Sequence, residues 1–327
     1  MLGRTLRTIL HISSPMPTSV QVDVTTVCNF KCRMCPIHFV KQEHKHIDFE
    51  LFKRIVDNLH GVDEIALVGL GEPFTNPNIF EAIKYCKNKG MCVRTTTNGS
   101  LLHTEKRIRD LFDSGLDSLS FSVDALKEGL SHQDGHDSPH VLQNIEAILT
   151  ERNKRGGEGP QLTIQSVLQL HREQDIYDII AWGAERGIDR FNVLRMHMYF
   201  DNNIKRHDEQ GEKIVHAELA RLRRKYGVRI DCLQDQFFTG FQGFLYKHTK
   251  HLLRLDSFCI RLLDYPLINQ EGDVVPCCAL PRKTFGNVLE NKLADIWHGT
   301  SITHFRKTHQ DHPICSKCDN WRIRQII

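Results

Sequence analysis

Short apolar runs alternate with longer amphipathic stretches over the first two thirds of the chain. The apolar runs are rich in β-branched residues and predict strands, whereas the stretches between them carry apolar residues at helical spacing. The predicted strands are 19–25, 64–70, 92–99, 118–124, 163–169 and 190–196. Because helices connect successive strands, the pattern predicts a parallel sheet with right-handed crossovers, either a barrel or an open doubly wound sheet.

The pattern changes after a helix predicted near 208–226. Residues 228–236 offer one more candidate strand, and the stretch that follows is rich in aromatic residues and glycine. From about residue 250 the alternation is lost, and cysteine, proline and glycine punctuate the chain. We therefore predict four regions: an N-terminal extension at 1–17, an α/β barrel at 18–235, a linker at 236–254 and a small cysteine-rich domain at 255–327.

Composition places the chain among ordinary globular proteins. It has 327 residues, of which 40% are hydrophobic and 25% charged, as in a typical globular domain. A net charge of +3 and no dense Lys/Arg tract argue against a nucleic-acid partner. No apolar run reaches the roughly 20 residues of a membrane span, and the N-terminal apolar stretch is too short for a secretory signal. We therefore expect a cytoplasmic protein. In that compartment, 11 cysteines indicate metal binding or catalysis more than a disulfide framework.

Three cysteines follow the first predicted strand in the segment CNFKCRMC. Cys28, Cys32 and Cys35 lie at the end of the strand where parallel-sheet proteins place their active sites. Cysteine thiolates hold iron–sulfur clusters, and a [4Fe–4S] cluster usually has four of them. Three thiolates would leave one iron open to a small molecule. Three buried structural cysteines or an incomplete zinc site are the alternatives.

The spacing C-x3-C-x2-C directly after a first strand resembles that of the radical S-adenosylmethionine (radical SAM) superfamily. The resemblance implies that S-adenosylmethionine (AdoMet) chelates the fourth iron through its amino and carboxylate groups. An electron from the cluster then cleaves AdoMet, and the 5′-deoxyadenosyl radical takes a hydrogen atom from the substrate. The implied fold is a partial (β/α)6 TIM-type barrel. Met34 occupies the position where the family usually has an aromatic residue near the adenine.

Further matches to the family follow the next three strands in order. Gly71 and Glu72 in VGLGEP resemble a segment that meets the AdoMet amino group, and Asn98 in TTNG resembles a residue facing the site. The same resemblance implies that Ser122 in SVD contacts the ribose or the carboxylate of AdoMet. Asp124 is a further cofactor-binding candidate. Alone, Gly-Glu-Pro and Asn-Gly are ordinary turn signals. Together, matches on consecutive strands carry the resemblance.

A second set of cysteines lies near the C-terminus. From the residues alone, a zinc module is the generic interpretation. The pattern C-x12-G-x4-CC, followed by Gly-Asn, Ile-Trp and a C-x2-C pair, resembles SPASM and twitch auxiliary-cluster domains. No two further cysteines follow, so the shorter twitch form is expected, with Cys278 as the alternative to Cys277. The resemblance implies a closed, electron-transferring [4Fe–4S] cluster on Cys259, Cys277, Cys315 and Cys318.

A few remaining polar residues are candidates for the chemistry. Cys232 is predicted near the barrel mouth, where it could donate a hydrogen atom as an epimerase would require; a buried structural cysteine is the alternative. Cys86 and Cys92 are predicted to be inert. Arg195 and His197 are candidates for a base or for binding a substrate hydroxyl, with ordinary surface residues as the alternative.

The main functional hypothesis is a radical SAM oxidoreductase that dehydrogenates or epimerises a small polar substrate such as a sugar or aminocyclitol. Only 27 residues precede Cys28, so we expect no fused leader-peptide-binding domain ahead of the barrel, which favours a small substrate. A maturase acting on a ribosomally made peptide or protein is the first alternative. A zinc-stabilised, non-catalytic binding protein is the alternative from another class. Two [4Fe–4S] clusters and AdoMet imply oxygen sensitivity and a flavodoxin- or ferredoxin-type reductant.

Overall fold

The computed structural model describes most of the predicted barrel and most of the C-terminal region. Met34, His197 and the predicted linker 236–254 lie outside the described residues, as does most of the N-terminal extension. The described residues are 16–32, 35–40, 42–126, 140–196, 205–232, 259, 261–262 and 265–318.

A single sheet organises these residues. Its strand order is β7-β6-β5-β4-β3-β2-β1-β8-β9, and all neighbours pair in parallel except β8 and β9. The described sheet does not close, since β7 and β9 form its two edges. The strands are β1 (Ser19–Val22), β2 (Glu64–Leu67), β3 (Cys92–Thr97), β4 (Ser118–Ser122), β5 (Gln161–Leu168), β6 (Arg190–Arg195), β7 (Arg229–Cys232), β8 (Leu267–Ile268) and β9 (Val274–Val275). The predicted α/β class with a partial TIM-type barrel is confirmed.

Helices connect the parallel strands as predicted. None of the helices in the described part of the chain is both long and apolar enough to cross a membrane. The helices are α1 (Phe49–Asp57), α2 (Ile79–Asn88), α3 (Glu105–Asp113), α4 (Val141–Lys154), α5 (Glu173–Glu185), α6 (Glu209–Tyr226), α7 (Leu293–His298) and α8 (Thr300–Thr308).

Capping residues set several of these helix boundaries. Asp48 begins α1 by accepting a hydrogen bond from the Leu51 amide (2.9 Å), and Asp208 begins α6 in the same way. Such side-chain acceptors satisfy amide donors that have no partner inside the helix. Gly227, with φ of 64°, ends α6 in the left-handed conformation that glycine adopts without strain.

The two faces of the sheet differ in polarity. Phe191 and Ile164 are buried and lie against Gly183 of α5, where a Cβ atom would sit 2.9 Å from the Phe191 ring. Successive side chains of a strand point to opposite faces, so the alternate positions face the interior of the open barrel. These interior positions are polar and partly exposed: Thr96, Ser120, Ser122, Gln165 and Asn192. The hydrophobic core therefore lies between sheet and helices, and the barrel interior is left polar.

The C-terminal region contributes two strands to the barrel sheet. The Gln21 amide donates to the Pro266 carbonyl and the Asp23 amide donates to the Ile268 carbonyl, both at 2.9 Å. Gly272, with φ of 87°, makes the turn between β8 and β9. The sequence did not predict these strands, because two residues are too few to show an alternating pattern. The two predicted domains thus share one sheet.

Candidate functional site

The first cysteine cluster lies in a loop that is closed at its base. The Thr26 amide donates to the Lys45 carbonyl (3.0 Å), and the Lys45 amide donates back to Thr26 Oγ1 (2.9 Å). Beside them, Thr25 Oγ1 lies 2.8 Å from His46 Nδ1. The cysteines therefore project from a fixed neck at the carboxyl end of β1.

The three thiols of this loop influence one another's charge. Burial, followed by the charges of the neighbouring Cys35 and Cys28, raises the pKa of Cys32 to about 12. Because the thiolate form is disfavoured, the thiol keeps its proton until a metal ion displaces that proton. Main-chain donors already face two of these sulfurs: the Phe30 amide lies 3.4 Å from Cys28 Sγ, and a hydrogen bond from the Ile37 amide lowers the pKa of Cys35 against its burial.

The donor set of the loop fits an iron–sulfur cluster. Among the described residues, no three His, Cys, Asp or Glu side chains converge closely enough to bind one metal ion. In a [4Fe–4S] cluster each thiolate binds a different iron, so its ligands lie further apart than those of a single ion. Thiolates approached by amide donors are typical of such clusters, whose potential responds to hydrogen bonds at sulfur.

The main chain of the Gly-Glu-Pro segment is bonded to the cysteine loop. The Gly71 amide donates to the Thr25 carbonyl (3.1 Å) and the Glu72 amide to the Val27 carbonyl (2.9 Å). A Cβ atom at position 71 would lie 2.4 Å from the Val27 carbonyl oxygen. Glycine is therefore required here by the close approach of two backbones.

The Glu72 carboxylate is buried and accepts hydrogen bonds from other residues of the protein. Thr97 Oγ1 and the Asn98 amide donate to it at 2.7 Å, and the Phe74 amide at 3.1 Å. Burial raises the pKa of Glu72 to about 7, although these hydrogen bonds act in the opposite direction. Glu72 thus joins the end of β3 to the turn after β2. Its carboxylate shapes the site, and its contact with AdoMet stays a prediction.

Asn98 connects the end of β3 to the cysteine loop. Its Nδ2 donates to Asn29 Oδ1 (3.0 Å), and its Oδ1 accepts from the Ser100 amide and hydroxyl (2.9 and 2.7 Å). Asn29 Nδ2 closes the set by donating to Ser100 Oγ (2.8 Å). Sequence reasoning missed Asn29 and Ser100. The position of Asn29 directly after the first cysteine was the available signal.

The end of β4 brings two further predicted residues towards the loop. Ser122 lies on the interior face and pairs in register with Gln165 of β5. Asp124 is buried and accepts from the Val167 amide (2.8 Å), and burial raises its pKa to about 7. Its charge is near enough to raise the pKa of Cys32 as well. The structure therefore gathers Gly71, Glu72, Asn98, Ser122 and Asp124 at the carboxyl ends of the strands beside the cysteines.

Glu72→Gln tests the role of this carboxylate as a clamp. If the amide oxygen takes the place of Oε1, it still accepts from Thr97 and Phe74, but the NH2 then faces the Asn98 amide; in the other orientation the NH2 faces the Thr97 and Phe74 donors. We expect the free energy of unfolding to fall by about 1–3 kcal/mol, because a buried donor loses its acceptor. Urea unfolding of the metal-free protein measures this, with exposed Glu81→Gln as control. Equal stability of both variants would refute the clamp.

Two predicted chemical groups lie on the other face of the sheet. Cys232 is buried at the end of β7, with its sulfur 3.7 Å from His216 Nε2 of α6. Arg195 is also buried and forms an ion pair with Glu212 of α6. Both side chains therefore point towards the helix layer, away from the polar barrel interior. This corrects their prediction as hydrogen donor and as substrate-binding group, and assigns both to the contact between sheet and α6.

The predicted auxiliary ligands come together in the C-terminal region. Cys259, Cys277 and Cys315 pack against one small apolar core, formed by Leu262, Leu280 and Phe305. Cys318 follows one short turn later, its amide donating to the Cys315 carbonyl (3.1 Å). Among the described residues, Cys278 is not part of the group that packs against this core, although its charge raises the pKa of Cys277 as well as that of Cys35. The geometry thus favours Cys277 over Cys278 as a member of the C-terminal set.

The other signature residues of this region form its framework. Trp297 and Phe305 are buried, as local core residues are. Asn287 Nδ2 donates to the Glu271 carbonyl and to Asp273 Oδ1, both at 2.9 Å, which fixes the Gly-Asn segment to the β8–β9 turn. These contacts hold the cysteine-bearing segments around one small core.

Comparison with known families agrees with this geometry. Residues 22–208 match the Radical SAM superfamily, and residues 259–319 match the SPASM iron-sulfur cluster-binding domain. The chain belongs to the radical SAM superfamily. It is a radical SAM enzyme with a C-terminal SPASM-type domain, and its cofactors are AdoMet and [4Fe–4S] clusters. Family membership replaces the alternative of a non-catalytic zinc protein.

Similar proteins cover nearly the whole chain. The tungsten-containing aldehyde ferredoxin oxidoreductase cofactor-modifying protein of Pyrococcus furiosus is 25% identical over 91% of this chain and 86% of its own. The PqqA peptide cyclase of Xanthomonas campestris is 24% identical over 94% of this chain and 81% of its own. Streptococcus suis SuiB bound to S-adenosylmethionine shares the fold, with a TM-score of 0.71 at 17% identity over 98% of this chain and 75% of its own.

Proposed function

We propose that the protein is a radical SAM maturase that oxidatively modifies a peptide or protein substrate. The observation that carries this proposal is the similarity to a peptide cyclase over 94% of the chain. The fold also resembles SuiB, which has been solved bound to its precursor peptide SuiA. These similarities favour a peptide over the small polar substrate expected from the sequence. The resemblance to a cofactor-modifying protein supplies the competing hypothesis, a cofactor-like substrate.

Cys28, Cys32 and Cys35 are the proposed ligands of the AdoMet-binding cluster. When bound, this cluster and AdoMet supply the 5′-deoxyadenosyl radical that takes a hydrogen atom from a substrate C–H bond. The protein's part is to hold the loop in place through Gly71, whose amide bonds to the loop, and through Asn98, which bonds to Asn29. The ends of β2 and β3 thereby fix the three thiols relative to the barrel interior.

The polar barrel interior is the proposed substrate surface. Ser120, Ser122, Gln165 and Asn192 offer hydroxyl and amide groups on three neighbouring strands. A peptide carries a donor and an acceptor at nearly every residue, which such side chains can bind. Because Cys232 faces α6 instead of this surface, the proposal is an oxidation and does not include epimerisation by that thiol.

Cys259, Cys277, Cys315 and Cys318 are the proposed ligands of the second cluster. Four protein thiolates would leave no iron open to substrate, as expected for an electron acceptor in the shorter, twitch-like form. A substrate carbon that has lost a hydrogen atom must release one electron and one proton to become a closed-shell oxidised product. A low-potential flavodoxin- or ferredoxin-type reductant and a reducing, cytoplasmic setting complete the proposal.

Deuterium transfer into 5′-deoxyadenosine tests the substrate class. Extracts of the source organism grown in deuterated medium are separated by size into small molecules and peptides or proteins. The reduced enzyme with AdoMet is incubated with each fraction, and with the large fraction after protease digestion. We expect deuterium in 5′-deoxyadenosine from the large fraction, with less after digestion. Transfer from the small-molecule fraction alone would overturn the peptide proposal and favour a cofactor-like substrate.

A further inference from the structure

The turn between β8 and β9 contacts the neck of the first cysteine loop, which consists of residues 24–27 and 45–47. Gln270 lies in this turn and is buried, and its Nε2 donates to the Lys45 carbonyl at 3.1 Å. The next residue, Glu271, pairs with the same lysine, with 2.5 Å between Oε1 and Lys45 Nζ. Two adjacent residues of the C-terminal region therefore touch the base of the loop.

The turn is fixed by the C-terminal region itself. Asn269 Oδ1 accepts from the amides of Glu271 and Asp273, at 3.0 and 2.8 Å. The Gly272 carbonyl accepts from the Val288 amide at 2.9 Å. The position of the turn is thus set by bonds that do not involve the cysteine loop, so the turn can act as a support for that loop.

The neck is held from two sides. The amides of Gly71 and Glu72 donate to the limb of the neck that enters the loop. Gln270 donates to the limb that leaves it, at Lys45. In the sheet, β1 lies between β2 and β8. Each limb is therefore bonded to a different neighbour of β1, and the second of these neighbours belongs to the C-terminal region.

We infer that Gln270 is a positioning residue through which the C-terminal region orients the AdoMet-binding cysteine loop. A ligand that binds one orientation of a loop loses apparent affinity when a smaller fraction of molecules adopts that orientation. Without the Gln270 donor, the limb at Lys45 loses its bond to the C-terminal region. This role does not require electron transfer by the second cluster. It rests on the proposed AdoMet-binding cluster and is independent of the substrate.

Titration of the reduced, cluster-loaded protein with AdoMet, followed by electron paramagnetic resonance (EPR), tests the inference. Gln270→Met nearly keeps the size of the side chain and removes its donor. We expect wild-type iron content and a roughly two- to tenfold higher apparent dissociation constant for AdoMet, as the loss of one hydrogen bond implies. Ser114→Ala is the matched control. It removes another buried donor to a carbonyl, at the opposite end of the sheet, and should keep the wild-type affinity.

Glu271→Gln separates the buried hydrogen bond from the ion pair beside it. The variant removes the partly exposed pair with Lys45 and keeps Gln270 in place. Such pairs contribute little and are screened by salt, so the affinity for AdoMet should fall less than in Gln270→Met and should match the wild type at high salt. A larger effect in Glu271→Gln than in Gln270→Met would overturn the assignment to Gln270.

Amide hydrogen exchange gives a readout that does not depend on AdoMet. In the cluster-loaded protein without AdoMet, we expect the Thr26 and Lys45 amides to exchange faster in Gln270→Met, with wild-type exchange in β4 and β5. Faster exchange throughout the sheet, or wild-type exchange at the neck together with wild-type AdoMet affinity, would show the inference to be wrong. A wild-type protein whose EPR signal does not respond to AdoMet would instead refute the proposed cluster ligands, and exchange at the neck would still decide whether Gln270 holds it.

Discussion

Cys32→Ala is expected to abolish the reductive cleavage of AdoMet. Cys32 lies between Cys28 and Cys35 in a loop whose base is fixed by Thr26 and Lys45, so no other thiol of the loop can replace it. Two remaining thiolates would not hold a [4Fe–4S] cluster that must also bind AdoMet. The C-terminal cluster should remain, which leaves about four of about eight irons per chain. Product analysis for 5′-deoxyadenosine and methionine, together with iron analysis, measures both expectations.

A matched control separates the loss of this ligand from the loss of any cysteine. Cys92 is exposed at the start of β3, at the opposite end of the sheet, so Cys92→Ala should keep both the iron content and AdoMet cleavage. AdoMet cleavage by Cys32→Ala at the wild-type rate would contradict the proposed site. Loss of all iron in this variant would instead show that the two clusters do not assemble independently.

Substitution of the adjacent residues Cys277 and Cys278 is expected to have very different effects on the iron content. Cys277 packs with Cys259 and Cys315 on one apolar core, and this group does not include Cys278 among the described residues. Cys277→Ala is therefore expected to lose about four irons of the C-terminal cluster and to keep the AdoMet-sensitive EPR signal. Cys278→Ala should keep the full iron content. The two variants differ by one position in the chain, so each serves as the control for the other.

The opposite result would be informative. Iron loss in Cys278→Ala, with full iron in Cys277→Ala, would exchange the two assignments and would require the segment at β9 to rotate. Iron loss in both variants would show that the Cys-Cys pair acts as one structural unit. Full iron in both would remove position 277 from the proposed ligand set.

Much of the barrel could be predicted because its signal is local. Each of the six predicted strands overlaps an observed strand, and the alternation of buried and polar residues reflects contact with the helices on one face only. The weak seventh strand also exists, as β7, paired with β6. The pairing of β8 with β1 was not predictable, because it joins residues far apart in the chain through very short strands.

Motif spacing could indicate where the candidate site residues lie in the sheet, but it could not indicate the directions of their side chains. Motif spacing located Gly71, Asn98 and Asp124 at one edge of the sheet, as the order of parallel strands requires. It could not show that the Glu72 carboxylate bonds to protein donors. Nor could it show that Cys232 points towards α6, because a strand end alone does not fix the face when flanking residues are few.

We propose that one chain holds two different clusters, one open to AdoMet on Cys28, Cys32 and Cys35, and one closed on the C-terminal cysteines. Electron paramagnetic resonance (EPR) spectra of the reduced, reconstituted wild type and of Cys259→Ala, each recorded with and without AdoMet, test this proposal. We expect two cluster signals in the wild type, of which AdoMet shifts one, and we expect Cys259→Ala to keep the shifted signal and lose the other. A wild type in which AdoMet shifts neither signal, or a Cys259→Ala variant that loses the AdoMet-sensitive signal, would contradict it.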